Sequence, residues 1–342
     1  MKVLFDIGHP AHVHLFKNFI LYLIKHEHDI KVVSRKKDVT EALLDYYNIK
    51  HIPVSKPGKN ILKMFLELIK RNIFIYRLNR KNNFDFAFGT SFSIGPISFI
   101  SRMKSFNFTE DDDKIIPLYV YLTYPFSTKI INPSCLIFKK WKEKRVLHSS
   151  YHELAYLHPN NFKPDVKILE KYNLKPYEYI IIRFSSLSAY HDFGIKGFAD
   201  NVLIEIEEKF KSYQKVISRE DSKTHSIDPW DMHNVLAFSK MIITDSQTMT
   251  MEASVLGVPS IRYNSFVGKI SCLAELELKY GLTYGFLPSK DEFKMLKKID
   301  ELLSNKNLKE DWIIKRDKML SEKCDFNNWL IQFFEVERRD SV

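Results

Sequence analysis

Ile242-Ile243-Thr244-Asp245-Ser246-Gln247-Thr248, continuing as MTMEASVLGVP to Pro259, reads as a strand, a tight turn and a helix. The run Ile242–Thr244 is short and apolar, as a strand buried on both faces requires. Ser246 is a helix-capping residue type, and Gly257 with Pro259 supply the stop signals after Leu256. A strand that feeds a helix in this way is half of a βαβ unit, so the question becomes whether the same alternation runs through the chain.

It does. Upstream come a strand at 179–184, a helix at 198–211, a strand at 214–218, a helix at 231–238 and the strand at 241–244. Downstream, the helix 249–256 is followed by a strand at 258–262 and by helical patterns over Val267–Tyr280, Lys290–Ser304 and Leu308–Phe334, the last broken near Asn327. The N-terminal half repeats the theme. Val3–Ile7 is a strand, GHPAHVH a loop, Leu15–His26 a helix, Ile30–Ser34 a strand, Val39–Tyr47 a helix, Ile52–Val54 a strand, Ile61–Leu78 a helix and Phe84–Phe88 a strand. Strands alternating with helices predict parallel sheets. Between Phe88 and Leu136, Pro117, Pro125 and Pro133 interrupt the pattern, and the acidic run Glu110–Asp113 reads as a solvated loop. The proline-bearing segment Tyr151–Pro176 marks a junction. The expected organisation is a domain over 1–160, a second over 161–325 and a helical tail over 326–342.

Length and composition agree with two α/β cores. The chain has 342 residues, 45% of them apolar and 27% charged, which is globular composition. Cys135, Cys272 and Cys324 are odd in number and far apart, without metal-ligand or redox spacing, and fit a reducing cytoplasm. No signal-peptide h-region follows the N-terminus, because Asp6 cuts the first apolar run, and no stretch reaches the roughly 20 apolar residues of a spanning helix. The net charge of +10 favours an anionic partner. Its lysines are scattered and no nucleic-acid-binding signature is present, so nucleic acid is not the expected partner. Ile61–Arg80 mixes apolar residues with five basic ones, a composition suited either to an anionic bilayer surface or to a helix packed on the sheet with a basic outer face.

Ligands of open α/β sheets bind outside the carboxyl ends of the strands. By that rule Ser246, Gln247 and Thr248 form an anion site, since a helix N-terminus offers unpaired N–H groups and the positive end of its dipole. A diphosphate fits this turn, and Glu252, a turn and a half further on, can accept hydrogen bonds from ribose hydroxyls. Arg183, Ser185 and His191 follow the strand 179–184, where Arg183 can clamp a phosphate. Trp230 and Met232 are candidates for a base pocket or for plain core. In the first half, His9, His12 and His14 follow strand one, and with Asp6 they also have the residue types of a metal site.

TDSQTMTMEASVLGVPSIR, Thr244–Arg262, resembles the sugar-nucleotide signature of GT-B proteins and is similar to a segment of UDP-N-acetylglucosamine 2-epimerases, which carry two glycines in place of Gln247 and Thr248. With DIGHPAHVHLFKNFI, HELAYLHPNNFKPD and RFSSLSAYHDFG, the chain resembles over nearly its whole length the GT-B-like family named domain of unknown function 354. That resemblance implies an α/β GT-B-type fold, two Rossmann-like doubly wound domains facing a cleft. The loop around His12 is similar to the glycine-glycine-histidine loop of the N-acetylglucosaminyltransferase that makes lipid II, which implies a general-base role for His12 on an acceptor hydroxyl.

The expected activity is therefore glycosyl transfer from a nucleotide sugar, UDP-linked by resemblance, in the synthesis of cell-surface polysaccharide or glycoconjugate. His12 and Arg183 would be catalytic, Ser185, Ser246, Gln247, Thr248 and Glu252 would bind the donor, and His9, His14 and His191 would border the cleft. No metal or cofactor is expected. The acceptor would be a sugar or a lipid-linked sugar, and the place the cytoplasm or the inner face of the membrane. The alternative is a UDP-sugar 2-epimerase, followed by a non-catalytic sugar-nucleotide-binding protein.

Overall fold

The computed structural model describes all residues except 37, 57, 59, 185–204, 207, 220–226 and 341–342. The chain divides into two compact units, Met1–Asn161 with Cys324–Val342, and Phe162–Lys323.

The first unit is built on seven strands: β1 Lys2–Ile7, β2 Asp29–Arg35, β3 His51–Ser55, β4 Phe86–Gly89, β5 Lys104–Phe108, β6 Lys129–Pro133 and β7 Arg145–His148. They lie in the order β3-β2-β1-β4-β5-β6-β7, every pair parallel. Sheets of this kind are covered on both faces, which is why Val3, Leu4, Phe5 and Ile7 are all fully buried rather than alternating with polar residues. The core is aromatic. Phe5 stacks on Phe88 with centroids 5.4 Å apart, and Phe16, Phe19, Phe106 and Phe108 pack around them.

The helix Phe326–Arg339 is part of this first core. Its residues Phe326, Leu330 and Phe334 recur at helical spacing and are fully buried, and Phe334 packs edge-on against Phe19 and Phe86. Asp325 starts this helix by accepting hydrogen bonds from the N–H groups of Asn327 and Asn328. The residues read from sequence as a tail behind the second domain thus complete the first.

The second unit carries β8 Tyr179–Phe184, β9 Gln214–Arg219, β10 Ile242–Thr244, β11 Ser260–Tyr263 and β12 Thr283–Phe286, ordered β12-β11-β10-β8-β9 and again all parallel. The chain runs outward from β8 to β9 on one side and from β10 through β12 on the other. The order therefore reverses between β8 and β10, the point where open α/β sheets bind ligands.

Three sequence expectations need correction. Pro10–His14 lie inside the helix Pro10–Lys25 rather than in a loop, because Pro10 takes the first helical position and the His9 ring accepts the Ala11 N–H. β5, β6 and β7 stand between Phe88 and the junction, where no strand was read. Pro117 opens the helix Pro117–Thr123, Pro125 sits in a single helical turn and Pro133 ends β6, so each proline marks an element boundary. The acidic run is not a solvated loop either. Asp112 is buried and accepts the Ile137 N–H at 2.8 Å, and Asp113 takes both oxygens to Arg145 at 2.7 Å. The helix expected over 198–211 falls largely outside the described residues.

Candidate functional site

In the second unit the strand β10 ends at Thr244, and Ser246 caps the helix Gln247–Leu256. The Ser246 side chain accepts the Met249 N–H at 3.3 Å, and its own N–H donates to Thr244 Oγ1 at 3.0 Å. This fixes the turn and leaves the N–H groups of Gln247 and Thr248 at the helix start, where a helix has no acceptor of its own to give them. Asn264, buried after β11, donates to the Asp245 carbonyl at 2.7 Å and holds the turn from the other side. Gly257 closes the helix in the left-handed conformation, φ +72°, which glycine adopts without strain.

Arg183 is paired in register with Thr244, so its half-buried side chain leaves the sheet on the same face, one strand from the turn. Arg262 occupies the same row on the opposite neighbour, in register with Thr244. Sequence reading missed it. Arg262 is buried, and burial pulls its guanidinium down to about 10 against the opposing pull of Glu277. The signal was available: an arginine inside an apolar strand, two residues from the same carboxyl edge. Two arginine side chains thus flank the strand that leads into the Ser246 turn.

Glu252 lies inside the helix and is buried, with Oε1 2.9 Å from His233 Nε2. His233 sits on the short helix Met232–Ala237, whose preceding residues are anchored by Lys171 to Asp228 and Asp231 and by Tyr172 to Asp231. Met232 is buried in the hydrophobic core of this unit. Ser185 and His191 lie outside the described residues.

In the first unit the carboxyl edge of the sheet gathers His12, Ser91, Glu110 and His152. Asp6, the second-last residue of β1, forms an ion pair with Arg71 and accepts from the Ser91 hydroxyl. Gly89 is required beside it, since a side chain there would come within 2.7 Å of the Asp6 carbonyl. Asp6 is thereby committed to the interior. The Gly8 N–H points at His12 Nδ1 across 3.4 Å. Burial first, then electrostatic interaction with His9, His152, Arg35 and Arg71, holds His12 well below the ordinary value of 6.5. The ring is neutral, and with Nδ1 facing a donor its proton is on Nε2.

Glu110, just past β5, accepts the His152 N–H. Burial, with Cys135 and Asp111 nearby, pushes its carboxyl up to about 8, against hydrogen bonds from His152 and Glu153. Burial holds His152 down to about 3. The Glu110–His152 contact, 3.7 Å between Oε2 and Nδ1, is therefore between two neutral groups at pH 7. Had β5 been recognised, the carboxyl-edge rule would have picked out Glu110.

Of the other histidines here, His9 caps its helix and His14 is buried, stacked on Tyr156 at 5.2 Å. Among the described residues no three His, Cys, Asp or Glu side chains are grouped to hold a metal ion.

Two doubly wound parallel sheets make a fold of GT-B type, and solved structures agree. S. aureus MnaA, in a co-structure with UDP, matches with a TM-score of 0.66 at 14% identity, over 91% of this chain and 90% of that one. The UDP-GlcNAc 2-epimerase of Neisseria meningitidis bound to UDP-GlcNAc gives 0.67 at 13%, over 91% and 94%. The spinosyn forosaminyltransferase SpnP gives 0.66 at 12%, over 98% and 99%. At these identities the likeness establishes fold. No curated protein matches the sequence. The chain belongs to the family described as Protein of unknown function (DUF354), whose model matches residues 1–284.

Proposed function

We propose that this protein is an enzyme acting on a nucleotide sugar, with glycosyl transfer from a UDP-sugar to a sugar or lipid-linked acceptor as its reaction, serving cell-surface polysaccharide or glycoconjugate synthesis in the cytoplasm. The observation that carries the reading is the Ser246-capped helix at the strand-order reversal, with Arg183 one strand away. The N–H groups of Gln247 and Thr248 and the Arg183 guanidinium would take the diphosphate and stabilise it as leaving group, so the reading needs no metal. Glu252, oriented by His233, would receive the ribose hydroxyls. Ser185 and His191 follow β8 in sequence and stay in the proposal.

The acceptor is assigned to the first domain. There His12, neutral and carrying its proton on Nε2, suits donation to an oxygen better than abstraction of a proton. Glu110 is the better base, because a carboxyl with a pKa of about 8 keeps a useful ionised fraction near neutrality and holds a strongly basic form. The same observation favours one second reading, 2-epimerisation, in which a protonatable carboxyl serves the sugar itself. Incubation with UDP-N-acetylglucosamine alone, followed by proton NMR, separates the two. Unchanged substrate that turns over only when an acceptor is added supports transfer, and epimer or free UDP without acceptor overturns it.

A further inference from the structure

The helix Ile61–Asn82 is packed with its polarity reversed. Its inward residues at four-residue spacing are Glu67, Arg71, Ile75 and Asn79, all buried. Glu67 accepts the Ser55 hydroxyl at 2.9 Å and pairs with Arg35 at 2.9 Å, and Arg71 reaches Asp6. Its outward residues are apolar. Leu62, Phe65, Leu66, Ile69, Ile73 and Tyr76 recur at three- and four-residue steps on the opposite side, with Leu62 67% and Phe65 58% exposed. A globular helix ordinarily shows the reverse, and a continuous exposed apolar stripe marks a binding surface.

A row of cations runs beside the stripe. Lys63, Lys70 and Arg77 are exposed and spaced by seven residues, close to two helical turns, and Arg80 and Lys81 are exposed at the end of the helix. Glu67, the sole acid of this helix, faces inward. Phe99 and Ile100, exposed at 69% and 64%, line a surface hollow with Asn79 and Arg80 at the end of the helix.

We propose that this face docks on an anionic lipid bilayer, with Leu62, Phe65, Leu66, Ile69, Ile73 and Tyr76 in the acyl boundary and Lys63, Lys70 and Arg77 on the headgroups. An apolar stripe flanked by lysine and arginine is the pattern of a helix lying in the membrane interface. A second copy of this helix would bring no acid to the cationic row, whereas an anionic bilayer supplies one along its whole length. None of the described helices is long and apolar enough to cross a membrane, so the attachment is peripheral. The inference is independent of the reaction catalysed, though a lipid-linked acceptor would gain from it.

The test is co-sedimentation of the full chain with vesicles of phosphatidylcholine alone and of phosphatidylcholine with 30% phosphatidylglycerol, in low and high salt. Wild type is expected on the anionic vesicles and to be released by salt. The Lys63→Gln, Lys70→Gln, Arg77→Gln variant should bind about a hundredfold more weakly, from roughly 1 kcal/mol per basic residue. Phe65→Ser, Ile69→Ser, Ile73→Ser should lose binding as well. All six positions are exposed, and an unchanged melting temperature confirms that each variant folds. The proposal is overturned if wild type stays in solution with anionic vesicles, if both variants bind as wild type does, or if centrifugation shows a wild-type dimer that the serine variant dissolves.

Discussion

His233 Nε2 lies 2.9 Å from Glu252 Oε1, and both side chains are buried between a short helix and the helix that Ser246 caps. A buried carboxylate needs such a partner, and the pairing fixes where Glu252 points. Replacing His233 by Ala removes that hydrogen bond. We expect a loss of about 1–3 kcal/mol in urea unfolding. Glu252→Gln keeps a hydrogen-bonding group of the same shape, so it should unfold close to wild type while binding UDP at least about tenfold more weakly. Unaltered UDP affinity in a folded Glu252→Gln protein would remove Glu252 from the site.

Stability should have a maximum in pH near 6.5. Glu110 holds its proton more tightly in the native state, about 8 against the ordinary 4.5, so its contribution is full below pH 4.5 and is lost as pH rises toward 8. His12 and His152 are depressed below 6.5, so their contributions are full above pH 6.5 and fall away as the unfolded chain takes up protons in acid. Among these three groups the two histidines outweigh the carboxyl below 6.5, and above it only Glu110 contributes. Melting temperatures of wild type should fall from pH 6.5 to 8.5, and those of Glu110→Gln should fall less. Parallel curves for the two proteins would refute the shift.

His12 as a donor makes a kinetic prediction. His12→Asn, which keeps an N–H, should retain more kcat than His12→Ala, and the pH profile of kcat/KM should show no step near 6.5 that disappears with the substitution. Its acid-side step should instead follow Glu110 and vanish in Glu110→Gln.

Asp6 and Arg71 form a buried ion pair that ties the long helix Ile61–Asn82 to the first strand. Arg71→Met leaves Asp6 charged and enclosed, and should cost about 3–5 kcal/mol in denaturant unfolding. A loss under about 1 kcal/mol would mean that Asp6 accepts its remaining partners, Ser91 among them, without strain.

Much of this architecture was legible in the sequence because both sheets are parallel. Their strands are short apolar runs and their helices are periodic, so Val3–Ile7 and Ile242–Thr244 declared themselves and the Ser246 turn followed. Three things were hidden for physical reasons. β5, KSFNF, looks like a polar loop because Ser105 and Asn107 are polar, and only folding provides their buried partners, Ser98 for Ser105 and Ser127 for Asn107. Losing β5 also lost Glu110. His12 was visible as a residue, but its tautomer depends on the Gly8 N–H, a backbone group that no side-chain pattern reveals. The helix Ile61–Asn82 was legible as apolar and basic, yet only packing shows that Glu67 and Arg71 turn inward and the apolar stripe outward.

In the proposed function the turn before Gln247 binds the diphosphate of a nucleotide sugar through helix N-terminal amides. Gln247 is the first helical residue, where proline is tolerated and removes one N–H. Calorimetric titration of UDP into wild type and into Gln247→Pro tests the claim directly. Saturable binding to wild type, weakened about tenfold or more in a variant that melts like wild type, is the result expected for one lost hydrogen bond to a charged phosphate. Equal affinity in the two proteins, or no binding to either, would contradict it.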